Sequence, residues 1–159
     1  MPLRNAAVDD AVSRTAAIAG LAGIALIHVL QSPEAFEETL YLGLLFIGAT
    51  VVAVALAAAL TLGSDRGVWT ATATLPALIL LGYVLSRTTG LPDATNDVGE
   101  WDEPLGLASM VVESLVICVG GGVLATRVPA TGNVAAAPAG GRGRYAATTT
   151  ANGVARAER

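Results

Sequence analysis

The chain has 159 residues, 53% of them hydrophobic and only 14% charged, with a formal net charge of −4. A mean hydropathy of +0.63, with a charged fraction far below the roughly 25% of a soluble domain, excludes a disordered chain and argues against a water-soluble one. A single cysteine and a single histidine exclude an internal disulfide, a multi-cysteine zinc site and a bis-histidine haem site, and the acidic balance gives no ground for nucleic-acid binding.

Residues 1–13 form a polar N-terminal segment with Arg4, Asp9 and Asp10. Beyond Arg14, the stretch from Thr15 to Pro33 carries no Arg, Asp or Glu, and neither do Thr39–Ser64 and Gly67–Ser86; Leu105–Thr126 carries only Glu113. About 20 helical residues cross a hydrocarbon core of ~30 Å. The stretches predict four transmembrane helices near 14–31, 39–63, 68–87 and 105–126, an all-α membrane four-helix bundle over residues 14–126. A barrel strand would alternate apolar and polar residues, whereas ATVVAVALAAAL (49–60) and LPALILLGYVL (75–85) are apolar on every side. The first span ends in HVLQSPEAF, without the small-residue pair of a cleavable signal, so it is read as an uncleaved anchor.

Ser32-Pro33-Glu34 has the form of a helix start: an N-cap residue, a first-turn proline and a carboxylate at the positive helix end. It predicts an external turn over 33–39, with the second helix beginning as early as Pro33. The loop 88–104, TTGLPDATNDVGEWDEP, is polar, lacks the spacing of a calcium loop and is read as a solvated loop. Asp102-Glu103-Pro104 opens the fourth helix. Phe36, Tyr41, Trp69 and Trp101 are read as membrane-interface anchors. The stretch 127–159, rich in Ala, Gly, Thr and Pro, offers no sustained apolar face and is expected to be a disordered cytoplasmic tail.

Arginine placement orients the chain. Arg4, Arg14, Arg66, Arg127, Arg142, Arg144, Arg156 and Arg159 fall on one side of a four-span topology, and Arg87 alone on the other. The expected location is the plasma membrane, with both termini cytoplasmic.

Two charges resist this sorting. Glu113 lies about 12 Å into the fourth helix, a depth at which a carboxylate is commonly paired and is a functional-site candidate by default. Ser109, Met110, Val116 and Ile117 are its neighbours at three and four residues, and Gly106 and Gly120 extend the same face, so Glu113 is expected to point into the bundle. Arg87 ends the third helix, Tyr83 lies one turn inside it, and His28 lies near the corresponding end of the first. These residues predict an intramembrane polar cluster of Glu113, Arg87, His28 and Tyr83, with an Arg87–Glu113 pair at its centre. The cluster reads either as a structural pair that fixes helix order or as an outward-opening site. Cys118, amid apolar residues, reads as an inert packing group. Gly120-Gly121-Gly122 reads as a packing or bending feature, and the Ala16/Gly20, Ala19/Gly23 and Ala49/Ala53/Ala57 series as tight helix seams. No catalytic triad can be assembled, and no cofactor or metal motif is present.

HVLQSPEAFEETLYLGLLF (28–46), LSRTTGLP (85–92) and GEWDEPLGLASMVVE (99–113) carry a resemblance over roughly residues 14–126. There the chain resembles small uncharacterised four-helix membrane proteins of high-GC Gram-positive bacteria. The matching positions are His28, Pro33, Glu34, Arg87, Gly90, Leu91, Pro92 and Glu113. The resemblance implies a fold and no activity. Three functional classes follow. The first is a non-enzymatic accessory or scaffold subunit that meets lipid and another membrane protein or a second copy. The second is a small transporter or sensor built on the Glu113 cluster. The third is a membrane-embedded enzyme.

Overall fold

The computed structural model describes residues 2–63 and 65–127. Among them four helices run in order: α1 (Pro2–Glu38), α2 (Leu40–Leu62), α3 (Arg66–Thr88) and α4 (Pro104–Thr126). All four are long and apolar enough to cross a membrane. The stretch expected to be a disordered tail lies outside the described residues from 128 onward.

The helices alternate in direction, and α1 lies between α2 and α4. Two links join at one end of the bundle, here the loop end: Thr39 between α1 and α2, and residues 89–103 between α3 and α4. The other end holds the start of α1, the short α2–α3 turn and Arg127. Large apolar side chains such as Leu44, Val51, Leu78 and Val111 point outward and are exposed. An apolar surface of that extent fits a bilayer and not water.

The boundaries of α2, α3 and α4 fall within two residues of those expected, and α1 does not. It has 37 residues and is longer at both ends than the charge-free stretch. At its start, Arg14 donates to Asp10 one turn back at 2.6 Å, with the acid on the N-terminal side as a helix favours. Arg127 reaches the same Asp10 at 2.9 Å. Residues 2–13 therefore continue the first helix as an extra three turns, rather than forming a separate segment.

The far end of α1 corrects the expected turn. Ser32 and Pro33 lie inside the helix. A proline has no amide to donate to the carbonyl four residues back, which here is that of Val29. The Ser32 hydroxyl donates to that same carbonyl at 2.9 Å, so the bond the proline forfeits is replaced. The break comes at Thr39, which is extended and accepts from the Leu42 amide as the N-cap of α2.

The core sits toward the end opposite the loops. Ala17, Leu21, Ile24, Ala53, Leu60, Trp69 and Val116 form its buried cluster. Trp69 is fully buried there and is not an interface anchor; the Arg127 guanidinium lies 5.8 Å from its ring centre. Small residues bring the helices together, as van der Waals packing in lipid requires. A Cβ on Gly20 would overlap Val116, and one on Gly120 would stand 3.1 Å from the Cβ of Ala73. Cys118 faces outward instead of packing inside.

Candidate functional site

The buried residues of α4 are Gly106, Ser109, Glu113, Val116 and Gly120. Their spacing alternates three and four, so they form one stripe along the helix, and Glu113 lies in its middle at 0% exposure. Ser109, one turn back on the stripe, donates its hydroxyl to Glu113 Oε1 at 2.6 Å. Glu113 Oε2 is buried and has no hydrogen-bond partner among the described residues. The carboxyl group thus points into the bundle half satisfied.

Arg87 is also buried, at 6% exposure, but it does not pair with Glu113. Its Nη1 lies 2.6 Å from Asp97 Oδ2 and its Nη2 lies 2.8 Å from Glu103 Oε2. The guanidinium carbon stands 5.0 Å from the centre of the Tyr83 ring, within cation–π range. Glu103 accepts a further bond from Gln31 of α1 at 2.8 Å. The expected Arg87–Glu113 pair is therefore replaced by a Gln31–Glu103–Arg87–Asp97 chain that ties α1, α3 and the α3–α4 loop. The physical reason is reach. Arg87 lies in the last turn of α3, and the loop returns two carboxylates to it before α4 starts, whereas Glu113 is about two and a half turns further along α4.

That return path is built by the loop backbone. Leu91 and Ala94 exchange amide hydrogen bonds at 2.8 and 3.0 Å. Gly90 and Gly99 have φ values of 76° and 88°, a region open to glycine and strained for most residues. The Gly99 amide donates to the Arg87 carbonyl at 2.9 Å, which brings the loop back over the end of α3. Tyr41 donates to the Pro92 carbonyl at 2.6 Å, fastening the loop to α2. Ala94 is buried with Ala35 and Leu42. A loop expected to be merely solvated is a folded cap.

His28 is buried at 4% exposure. Its Nδ1 lies 2.9 Å from the Ile24 carbonyl oxygen. A carbonyl only accepts, so Nδ1 carries the hydrogen and a neutral ring keeps its acceptor lone pair on Nε2. The imidazole leans on the Phe46 ring, with centroids 5.1 Å apart.

A cavity of about 500 Å³ lies between these groups, within the range of small-molecule sites. Glu113, Arg87, His28 and Tyr83 all line it, so the four predicted residues share one space even though the predicted pair is absent. One side is formed by α2 and α3, where Leu44, Leu45, Val52 and Leu78 line the cavity and are exposed. Gly48 of α2 and Gly82 of α3 also line it, and a Cβ on either would meet nothing within 4 Å. The α2 and α3 walls therefore stand apart, and the cavity is a cleft open toward the bilayer side. Sequence reading missed the cleft and its carboxylate rim, Asp97 and Glu103 included. The clustering of Glu34, Glu38, Asp97, Glu100 and Glu103 around one arginine was the available signal.

Among the described residues no three His, Cys, Asp or Glu side chains gather as a metal site. No family model matches the chain, and no curated protein sequence or solved structure matches it either.

Proposed function

We propose that the protein is a small ligand-binding membrane protein, of the transporter or sensor class, whose site is the cleft between α2 and α3. One observation carries this reading: a cavity of about 500 Å³ reaches a fully buried carboxylate with one oxygen unpartnered. A buried polar atom without a partner is unfavourable by about 1–3 kcal/mol, and a ligand donor at that oxygen would relieve it. A purely structural role would call for a dry, closed Arg87–Glu113 pair, and Arg87 spends its charge on the loop. The positions that carry the resemblance to small four-helix membrane proteins of high-GC Gram-positive bacteria include His28, Glu34, Arg87 and Glu113, and all four line the cleft.

The arginine distribution supports a plasma-membrane protein with both termini cytoplasmic, which turns the loop end and the cleft mouth outward. An accessory subunit is the competing reading; it needs no ligand in the cleft. The test is native mass spectrometry of the full chain in nanodiscs of its own membrane lipids, wild type beside Gly82→Trp. Gly82 lines the cleft and a Cβ there meets nothing within 4 Å, so the indole is introduced at an open part of the cleft wall. Wild type is expected to carry a bound molecule that Gly82→Trp lacks. Identical spectra would overturn the reading in favour of the accessory role.

A further inference from the structure

The chemistry of the cleft wall selects among ligands. Its ionisable lining is lopsided. Glu113 stands on the back wall, Glu34 and Glu38 on the last turn of α1, and Asp97, Glu100 and Glu103 on the loop. Among the described residues Arg87 is the only arginine in the lining, and it is ion-paired with Asp97 and Glu103. An anionic ligand would meet a net negative field there.

The back wall is as one-sided in hydrogen bonding as the rim is in charge. Ser109 commits its hydrogen to Glu113 Oε1, and His28 commits its Nδ1 hydrogen to Ile24. On this wall the atoms left for a ligand are Glu113 Oε2 and His28 Nε2, both acceptors when the carboxyl is ionised and the imidazole neutral; the unpartnered donor Tyr83 Oη lies elsewhere in the same lining, beside Arg87. A hydrocarbon chain in the cleft would leave these acceptors unmet. The α2 and α3 walls carry an aliphatic run of Leu45, Val52, Leu75, Leu78 and Ile79. It runs from the acceptors toward the exposed lips at Leu44 and Leu78.

We infer that the cleft takes a cationic amphiphile, an ammonium bearing N–H donors with an apolar tail. The ammonium sits between Glu113 Oε2 and His28 Nε2, and the tail leaves along the α2–α3 gap. The inference rests on the reading of the cleft as a ligand site and adds the class of ligand. The Glu38 Oε1 atom, buried near the mouth and without a partner, marks an acidic path from the loop end inward.

The test uses the full chain in phosphatidylcholine nanodiscs and calorimetric titration with four soluble probes, each corrected for empty discs. The probes are 4-phenylbutylammonium, its trimethylammonium analogue, 4-phenylbutanol and 4-phenylbutanoate. The primary ammonium is expected to bind at least about tenfold more tightly than the alcohol, because a charge-assisted bond replaces a neutral one. The trimethylammonium analogue, without donors, is expected to lie between them, and the carboxylate to show no binding. Glu113→Gln is expected to remove the ammonium preference and leave the alcohol unchanged. Gly20→Ala, a destabilising change against Val116 at the closed end and outside the cleft, retains the preference and guards against a folding defect in the first variant. Gly82→Trp abolishes binding of every probe. Equal binding of ammonium and alcohol, or an ammonium preference that survives Glu113→Gln, would overturn the cationic assignment. Where the alcohol binds and Gly82→Trp blocks it, the cleft reading stands without that assignment. Where no probe binds above empty discs, both fall.

Discussion

The two ends of this bundle solve the same packing problem in opposite ways. Toward the chain-terminal end the helices close on one another through Gly20, Gly120, Trp69 and Leu60, with fully buried apolar contacts. Toward the loop end α2 and α3 separate around polar groups, and glycines at 48 and 82 face open space. Topology accounts for much of the contrast. The short turn near Gly63 ties α2 to α3 at the closed end. At the loop end the links are α1 to α2 and α3 to α4, so no covalent link holds α2 against α3. The α1–α4 side stays closed there because Gly23 admits Val112 at contact distance and Gln31 bonds Glu103. A glycine is therefore not a packing device by itself. It becomes one only where the partner helix is held close.

Four measurements probe that contrast, all by thermal unfolding of the protein in nanodiscs. The largest effect is expected from Trp69→Ala, which empties the closed end. In lipid the transfer component falls away and the cavity component remains, so a loss of about 3 kcal/mol is expected. Arg87→Ala comes next. It leaves Asp97 and Glu103 facing each other, but Asp97 is 42% exposed and water offsets part of the penalty, so roughly 2 kcal/mol is expected, below the range for fully buried pairs. Gly20→Ala is third. Its Cβ overlaps Val116, which is stiff and fully buried, and overpacking of this kind destabilises by about 1–2 kcal/mol. The smallest effect has the opposite sign. Gly82→Ala meets nothing and gains helix propensity, so a rise of about 0.5–1 kcal/mol is expected. Equal effects at positions 20 and 82 would break the distinction between closed and open ends.

Much of this fold is written in the sequence at the level of helix number, and the α4 stripe is written residue by residue. Spacing of three and four around Glu113 is a backbone property: it brought Gly106, Ser109, Val116 and Gly120 onto the buried face as expected, while Met110 and Ile117, expected on that face too, lie half-buried at its edges. The ends of α1 were illegible for a definable reason. Absence of charge marks the part of a helix that lies in hydrocarbon, not the helix itself. Asp10, Arg14 and Pro33 end the first and not the second. The partner of Arg87 was illegible because it depends on the path of a loop, set by two left-handed glycines and the Gly99–Arg87 bond. The cleft depends on how far two helices stand apart, a quantity with no period in the chain.

One hydroxyl carries mechanical weight beyond its single hydrogen bond. Ser32 Oγ fills the gap in the α1 ladder left by Pro33, and the segment beyond it, residues 34–38, carries Glu34 and Glu38 on the cleft mouth. Thr39 then turns directly into α2, with no slack between the two helices. The last turn of α1 is thus a short lever pivoted at a proline and latched by a serine. A bend at that pivot would move the acidic mouth and the start of α2 together, so the width of the opening and the angle of its front wall are set as one adjustment.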